Sequence, residues 1–177
     1  MIKHLVGAAM AGALLLAASP ALPQSNLGTY FAVREGLIAV WDDLPLTAYN
    51  VTLVEDTPKG FGQYKRRSGK AYRPDEPVIV YAELYGYAVT LPANGGFLRG
   101  LTADLALIDA TGAVRANQVG FWQSDDEKFE TRPLEMHLSF SATLSAFEPG
   151  EYTLRFTVHD GEEDASFEVP ITLLAAE

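Results

Sequence analysis

The chain has 177 residues, 48% hydrophobic and 20% charged, with a formal net charge of −10 and no cysteine. Such a chain is long enough to bury a core as one domain, and without Cys it has no disulfides, thiolate metal sites or thiol nucleophile. Its acidic balance disfavours nucleic acid and anionic membrane surfaces as partners.

Lys3 and His4 precede residues 5–18, which are almost wholly Ala, Leu, Gly, Val and Met, and Ser19-Pro20-Ala21 then places small residues where a signal peptidase reads. The apolar run is short of the roughly 20 residues that span a bilayer. The pattern predicts a signal peptide over residues 1–21, cleaved near Ala21, and a periplasmic or secreted mature chain without a transmembrane segment. Removing Lys3 and no acid takes the net charge to −11.

Residues 22–46 read as a leader and a short amphipathic helix. Tyr30, Val33, Leu37, Val40, Trp41 and Leu44 fall on one helical stripe, with Asn26 or Thr29 placed to cap its start. Gly36 and Asp42-Asp43 oppose it, and a strand over residues 37–40 is the alternative. Residues 47–177 are expected to form a β domain, with the stripe packed across an open face or end of it.

Residues 49–54 are the first strand. Residues 56–77, punctuated by Pro58, Gly60, Gly62, Gly69 and Pro74, read as a long loop or mobile hairpin. From Val78, the residues Val78, Val80, Ala82 and Leu84 alternate with Ile79, Tyr81, Glu83, Tyr85 and Tyr87, so both faces are apolar and the strand is central. Leu101, Ala103, Leu105 and Leu107 form the next strand, and Asp109-Ala-Thr-Gly112 turns it into residues 113–122. Residues 124–133 read as an acidic surface loop. Leu134, Met136, Leu138, Phe140, Ala142 and Leu144 then alternate strictly with polar residues, as do Tyr152, Leu154, Phe156 and Val158. The last strand carries Ala165, Phe167, Val169, Ile171 and Leu173, and Pro170 places it at a sheet edge.

Phe147-Glu-Pro-Gly-Glu-Tyr152-Thr-Leu154 resembles the corner entering the penultimate strand of immunoglobulin-like and fibronectin-III-like domains. The resemblance implies that Tyr152 hydrogen-bonds back to the preceding turn and that Leu154 is a core position. Tyr72-Arg-Pro-Asp-Glu-Pro77-Val-Ile-Val-Tyr81 is similar to the opening "Y-x-P-G-E-P-V-x-x-Y" of exported bacterial β-sandwich proteins, with Asp75 in place of Gly. The expected fold is mainly β, an antiparallel immunoglobulin-like or fibronectin-III-like sandwich of about seven strands with a short N-terminal helix.

The strongest binding signal is a basic loop. Lys59, Lys65, Arg66, Arg67, Lys70 and Arg73 are half of the twelve basic residues of the mature chain, with no acid between Thr57 and Pro74. Interleaved with Tyr64 and Tyr72, they suit an envelope protein or an anionic glycan or lipid headgroup, unless they pair with the acidic remainder of the domain. Tyr81, Tyr85 and Tyr87 make an aromatic platform if bare, and core if the helix covers them, which is the expectation. His137 and His159 are neighbours only if their strands adjoin, and no third metal ligand accompanies them. Asp160, Glu162, Glu163 and Asp164 are candidate calcium ligands; they lack the spacing of the twelve-residue calcium loop and read more plainly as a solvated turn. Asp125-Asp126-Glu127 with Glu130 reads likewise.

No Gly-x-Ser-x-Gly elbow, His-Glu-x-x-His or phosphate loop is present. The leading expectation is therefore a non-catalytic exported module, without cofactor, that binds or scaffolds an envelope component through the loop at 59–73 or a sheet edge. The alternatives are a carbohydrate-active hydrolase or lyase using Glu83, Asp125 or Glu127, and a carrier with an apolar cavity.

Overall fold

The structure, a computed structural model, describes residues 24–124, 127–161 and 163–176. The predicted signal peptide lies outside the described residues. Two compact units divide between Glu35 and Gly36. The described part of the first is the N-terminal portion of helix α1 (Gln24–Asp42); the second holds the end of α1 and all the strands.

The helix reading of the stripe from Tyr30 holds and the strand alternative at 37–40 does not; the helix begins earlier, at Gln24, inside the stretch that reads as a leader. The stripe, however, does not act as one buried face: Tyr30, Val33, Leu37, Val40 and Leu44 are all exposed, and Trp41 alone is buried. Among the described residues no helix is long and apolar enough to cross a membrane.

The strands are β1 (Thr47–Val54), β2 (Ala71–Tyr72), β3 (Val78–Tyr85), β4 (Phe97–Arg99), β5 (Thr102–Asp109), β6 (Val114–Gln123), β7 (Glu127–Phe129), β8 (His137–Ala142), β9 (Gly150–His159) and β10 (Asp164–Leu173). The additions to the predicted set, β2, β4 and β7, are too short for alternation to reveal them. A three-stranded sheet, β1-β3-β8, lies with a five-stranded one, β2-β10-β9-β5-β6, and β4 pairs with β7 as a ribbon inside a stretch that reads as loop. In immunoglobulin terms β1, β3 and β8 occupy places A, B and E, while β5, β6, β9 and β10 occupy C, C′, F and G. Among the described residues no strand takes place D, beside β8.

The core follows from the alternation. Val80, Leu84, Leu138 and Phe140 of the smaller sheet meet Leu105, Leu107, Leu154 and Phe156 of the larger one, and all are buried. Phe140 stacks on Phe156 with ring centroids 4.6 Å apart. Each such side chain contributes about 2 kcal/mol through burial. At the corner into β9, the Tyr152 hydroxyl donates to Glu148 O at 2.9 Å, and Leu154 two residues on is fully buried.

Three register shifts adjust this pattern, the smallest where Val114 to Ala116 of β6 face the single step from Leu107 to Ile108 of β5. Between Tyr49 and Thr52, β1 inserts one extra residue against β3, and Asn50 takes φ 50° there. In β6, four residue steps from Gln118 to Trp122 face two in β5, with Gly120 at φ 63° and its N–H held by Asp104 Oδ1 at 2.8 Å. The consecutive residues Phe121 and Trp122 therefore both reach Phe140, at centroid distances of 6.4 and 5.6 Å. Gly86, at φ 73°, ends β3 where a Cβ would lie 2.4 Å from Pro45 O. The chain turns there, so Tyr87 leaves the face shared by Tyr81 and Tyr85 and enters the main core, its hydroxyl donating to Pro133 O.

Candidate functional site

The outer face of the smaller sheet carries Ile79, Tyr81, Glu83 and Tyr85, and it is closed. The cover over Tyr81 is the long loop, not the helix: Tyr64 lies over Tyr81 at 4.2 Å between centroids, and Phe61 meets Tyr85 edge-on at 6.5 Å. Helix α1 contributes Trp41, whose ring is 5.6 Å from Tyr85 and 5.2 Å from Tyr87.

Glu83, buried at 6% exposure, is the pin of this closure. Its Oε1 accepts from Asn50 Nδ2 at 2.9 Å and from the Tyr81 hydroxyl at 3.0 Å, and its Oε2 accepts from the Tyr85 hydroxyl at 3.3 Å. Asn50 also donates to the Tyr64 hydroxyl at 2.9 Å, and Gly62 N–H donates to the Tyr81 hydroxyl at 2.8 Å. The left-handed backbone at Asn50 aims its amide into the cluster, as Asn tolerates. Burial first, and the Glu83 carboxylate after it, push the Tyr81 phenol up to about 12 against the opposing Gly62 N–H; the same causes raise Tyr85. Every oxygen of Glu83 is occupied by the protein's own donors, which makes it a structural acceptor. Of the other carboxylates considered for hydrolysis, Asp125 and the side chain of Glu127 lie outside the described residues.

Three of the six loop cations are spent on their own domain. Lys65 pairs with Glu55, whose hydrogen bond and charge raise the Lys65 ammonium. Arg67 pairs with Glu76 at 2.7 Å, donates to Ala71 O and lies 4.2 Å over the Tyr72 ring; Lys70 pairs with Glu151 at 2.7 Å. Tyr72 is fully buried in the core, and Tyr64 is stacked on Tyr81. Among the described residues Arg66 is exposed without a carboxylate partner, and Arg73 is exposed. Two of the acids that meet the cations flank the loop, Glu55 just after β1 and Glu76 just before β3, and only Glu151, on β9, is far from it in sequence.

The two histidines lie on different sheets, His137 on β8 and His159 on β9, so they do not form a pair. His137 stacks against Tyr81 at 5.8 Å. His159 bridges neighbouring strands: Nδ1 meets Asp164 Oδ1 at 2.6 Å and Nε2 meets Asp104 Oδ2 at 3.3 Å. The Asp164 hydrogen bond first, and Asp104 with it, raise the imidazole above its ordinary value against its partial burial. Of the candidate calcium ligands, Asp164 is thus engaged by His159, Asp160 accepts from Ala88 N–H and Glu163 N–H, and Glu163 accepts from Leu46 N–H at 2.8 Å. Glu162 lies outside the described residues. Among the described residues no three His, Asp or Glu side chains converge as a metal site.

What remains open is one side of the sandwich. β6 hydrogen-bonds to β5 alone, and residues 114–120 are exposed, Val119 at 76%. Arg115, the single charged residue of β6, is turned back to Asp109 at 2.5 Å. Among the described residues β8 pairs with β3 alone, and the larger sheet outruns it. Between the two edges runs a groove of about 530 Å³, floored by Leu105, Leu107 and Phe121 and walled by Ala142, Leu144 and Phe147. Sequence patterning identifies these strands but not this space, because no residue of the chain marks a strand that is missing.

No family model matches the sequence, and no curated protein matches it. Solved structures that resemble it include the C-terminal domain of wzt, at 9% identity and TM-score 0.40, over 78% of this chain and 86% of that one. A β-glucosidase from Listeria innocua is similar at 14% identity and TM-score 0.36, over 73% of this chain and 16% of the enzyme. A CARDB domain of the PF1109 protein from Pyrococcus furiosus is similar at 12% identity and TM-score 0.27, over 71% of this chain and 88% of that domain.

Proposed function

We propose that this chain is an exported, non-catalytic β-sandwich module that binds another protein of the envelope by strand pairing at the open side of the sandwich. The observation that carries the reading is β6: a ten-residue edge strand with one sheet neighbour, exposed along most of its length and almost without charge. Soluble proteins blunt such edges with charge, proline or a covering segment, because a row of free backbone donors and acceptors pairs with any compatible strand. β6 is irregular at residues 114–116 and again at 118–122, its one charge, Arg115, is turned back to Asp109, and it has no proline. Export is supported by the signal-like residues 1–21. The basic loop supports docking less well, since Lys65, Arg67 and Lys70 already meet carboxylates.

The test is photo-crosslinking in living cells from a probe at Val119 and, separately, at Arg66, followed by mass spectrometry. Protein adducts from Val119 and none from Arg66 are expected. Adducts from Arg66 alone move the binding surface to the basic loop. With the protein folded and abundant, silence from both positions removes the interaction reading altogether.

A further inference from the structure

We propose that the groove between β6 and β8 takes one extended segment of the partner protein, uncharged and apolar at every second residue, which adds to β8 as the fourth strand of the smaller sheet. The inference rests on the function proposed above and specifies the chemistry of its ligand.

The topology supplies the first reason. Places A, B and E of the smaller sheet are filled and place D, on the free side of β8, is empty among the described residues. Facing that place, the larger sheet continues through β5 to β6, so a strand laid there finds a complete opposite wall. Among the described residues no strand pairs with β8 on the side of Ser141 and Ala142 away from β3, and such an edge selects a strand over a helix, because a helix satisfies its own donors.

Size supplies the second. β8 has six residues, so a strand matched to it points three side chains inward. The groove of about 530 Å³ lies at the Ser141–Ala142 end of β8, and its floor of Leu105, Leu107 and Phe121 faces the inward side chains nearest that end.

Charge supplies the third. None of the eleven residues lining the groove is charged, in a chain of which 20% is. Its rim is Asn117, Gln118, Ser141 and Thr143, which pair with backbone or hydroxyl groups. A Lys or Asp entering here would be desolvated with no counter-charge. A strand with Thr or Ser turned outward and Val or Ile turned inward meets all three conditions.

The experiment uses the purified protein and three soluble peptides with Lys at each end: one alternating Thr with Val and Ile over about seven residues, one with the same residues in two blocks, and one with Asp at the apolar positions. Binding is read by titration and by amide shifts in ¹H–¹⁵N spectra. The alternating peptide is expected to bind about ten-fold or more tightly than either control, moving the amides of residues 141–144 and 116–118. Ala142→Trp, which fills the groove, and Thr143→Pro, which removes a backbone N–H from the groove's rim, are each expected to abolish that difference. Either variant suffices if the other fails to fold.

Equal binding of the alternating and block peptides, or no binding of any, overturns the proposal. So does a dimer of the protein alone that Ala142→Trp dissociates, since the occupant is then a second copy. Crosslinks from Val119 in cells with no peptide preference in vitro leave the interaction function standing and remove this ligand.

Discussion

The smaller sheet has two edges, and the protein treats them differently. At β1 the long loop closes the edge: Glu55 N–H donates to Lys65 O and Arg67 N–H to Leu53 O, both at 2.9 Å, and Val54 forms an antiparallel bridge with Arg66. The same loop then folds over the outer face and is pinned there by Tyr64, Gly62 and the buried Glu83. At β8 no described segment does either job. A segment that is irregular in sequence has thus been used as a lid and an edge strand at once, while the strictly alternating β8 is left with one partner. Closure depends on where backbone donors end up, and regular alternation is no guide to that.

The largest effect that tests the contrast is Glu83→Ala. It leaves two buried hydroxyls and an amide without their acceptor, and a loss of about 3 kcal/mol in unfolding free energy is expected by urea denaturation. The matching change on the open side, Ser141→Ala, is exposed and should stay within about 0.5 kcal/mol. Equal effects from the two would mean that the closed face does not depend on its pin.

A smaller effect should appear on raising the pH. The phenols of Tyr81 and Tyr85 are raised in the folded state, Tyr81 to about 12. Their contribution is complete below the unfolded value of about 10 and is lost as pH climbs through the raised one. Phenolate absorbance should therefore show Tyr81 titrating with unfolding rather than before it, and Tyr64→Ala, which uncovers its ring, should bring that titration to lower pH. If the titration is unchanged in Tyr64→Ala, the loop is not the cover.

The smallest concerns the larger sheet, whose outer face carries the Asp104–His159–Asp164 bridge. The His159 imidazole is raised, so its stabilisation is present below about 6.5 and fades as pH rises through the folded-state value. The urea midpoint of the wild-type protein should fall across that window, and His159→Gln should flatten the change. A wild-type profile already flat there would show that the bridge is not a charged one.

Much of the framework was legible in sequence. The alternation in β8, β9 and β10 reads directly as strands and the stripe from Tyr30 marks a helix, whereas Pro170 reads as an edge mark on β10 although β2 takes the outermost place, pairing with Thr172 and Leu173. The stripe's partner was not legible, since periodicity records which side chains share a face and not what lies opposite. Trp41 alone is buried; the spacing treats it like Leu37 and Val40, which are exposed. The basic loop reads as a docking surface because its acids come from residues 55, 76 and 151, and no local pattern connects them.

The sequence by itself determined an acidic, cysteine-free chain with a signal-like start, a helix and a set of one-sided strands, because those properties depend on residues a few positions apart. Only the tertiary structure decided that Glu83 is sealed, that the loop closes one edge and that place D is empty among the described residues. Those features depend on groups distant along the chain, such as Asn50 with Glu83, 33 residues on, or Leu46 with Glu163, 117 residues on. An unfilled strand position leaves no residue behind to be read.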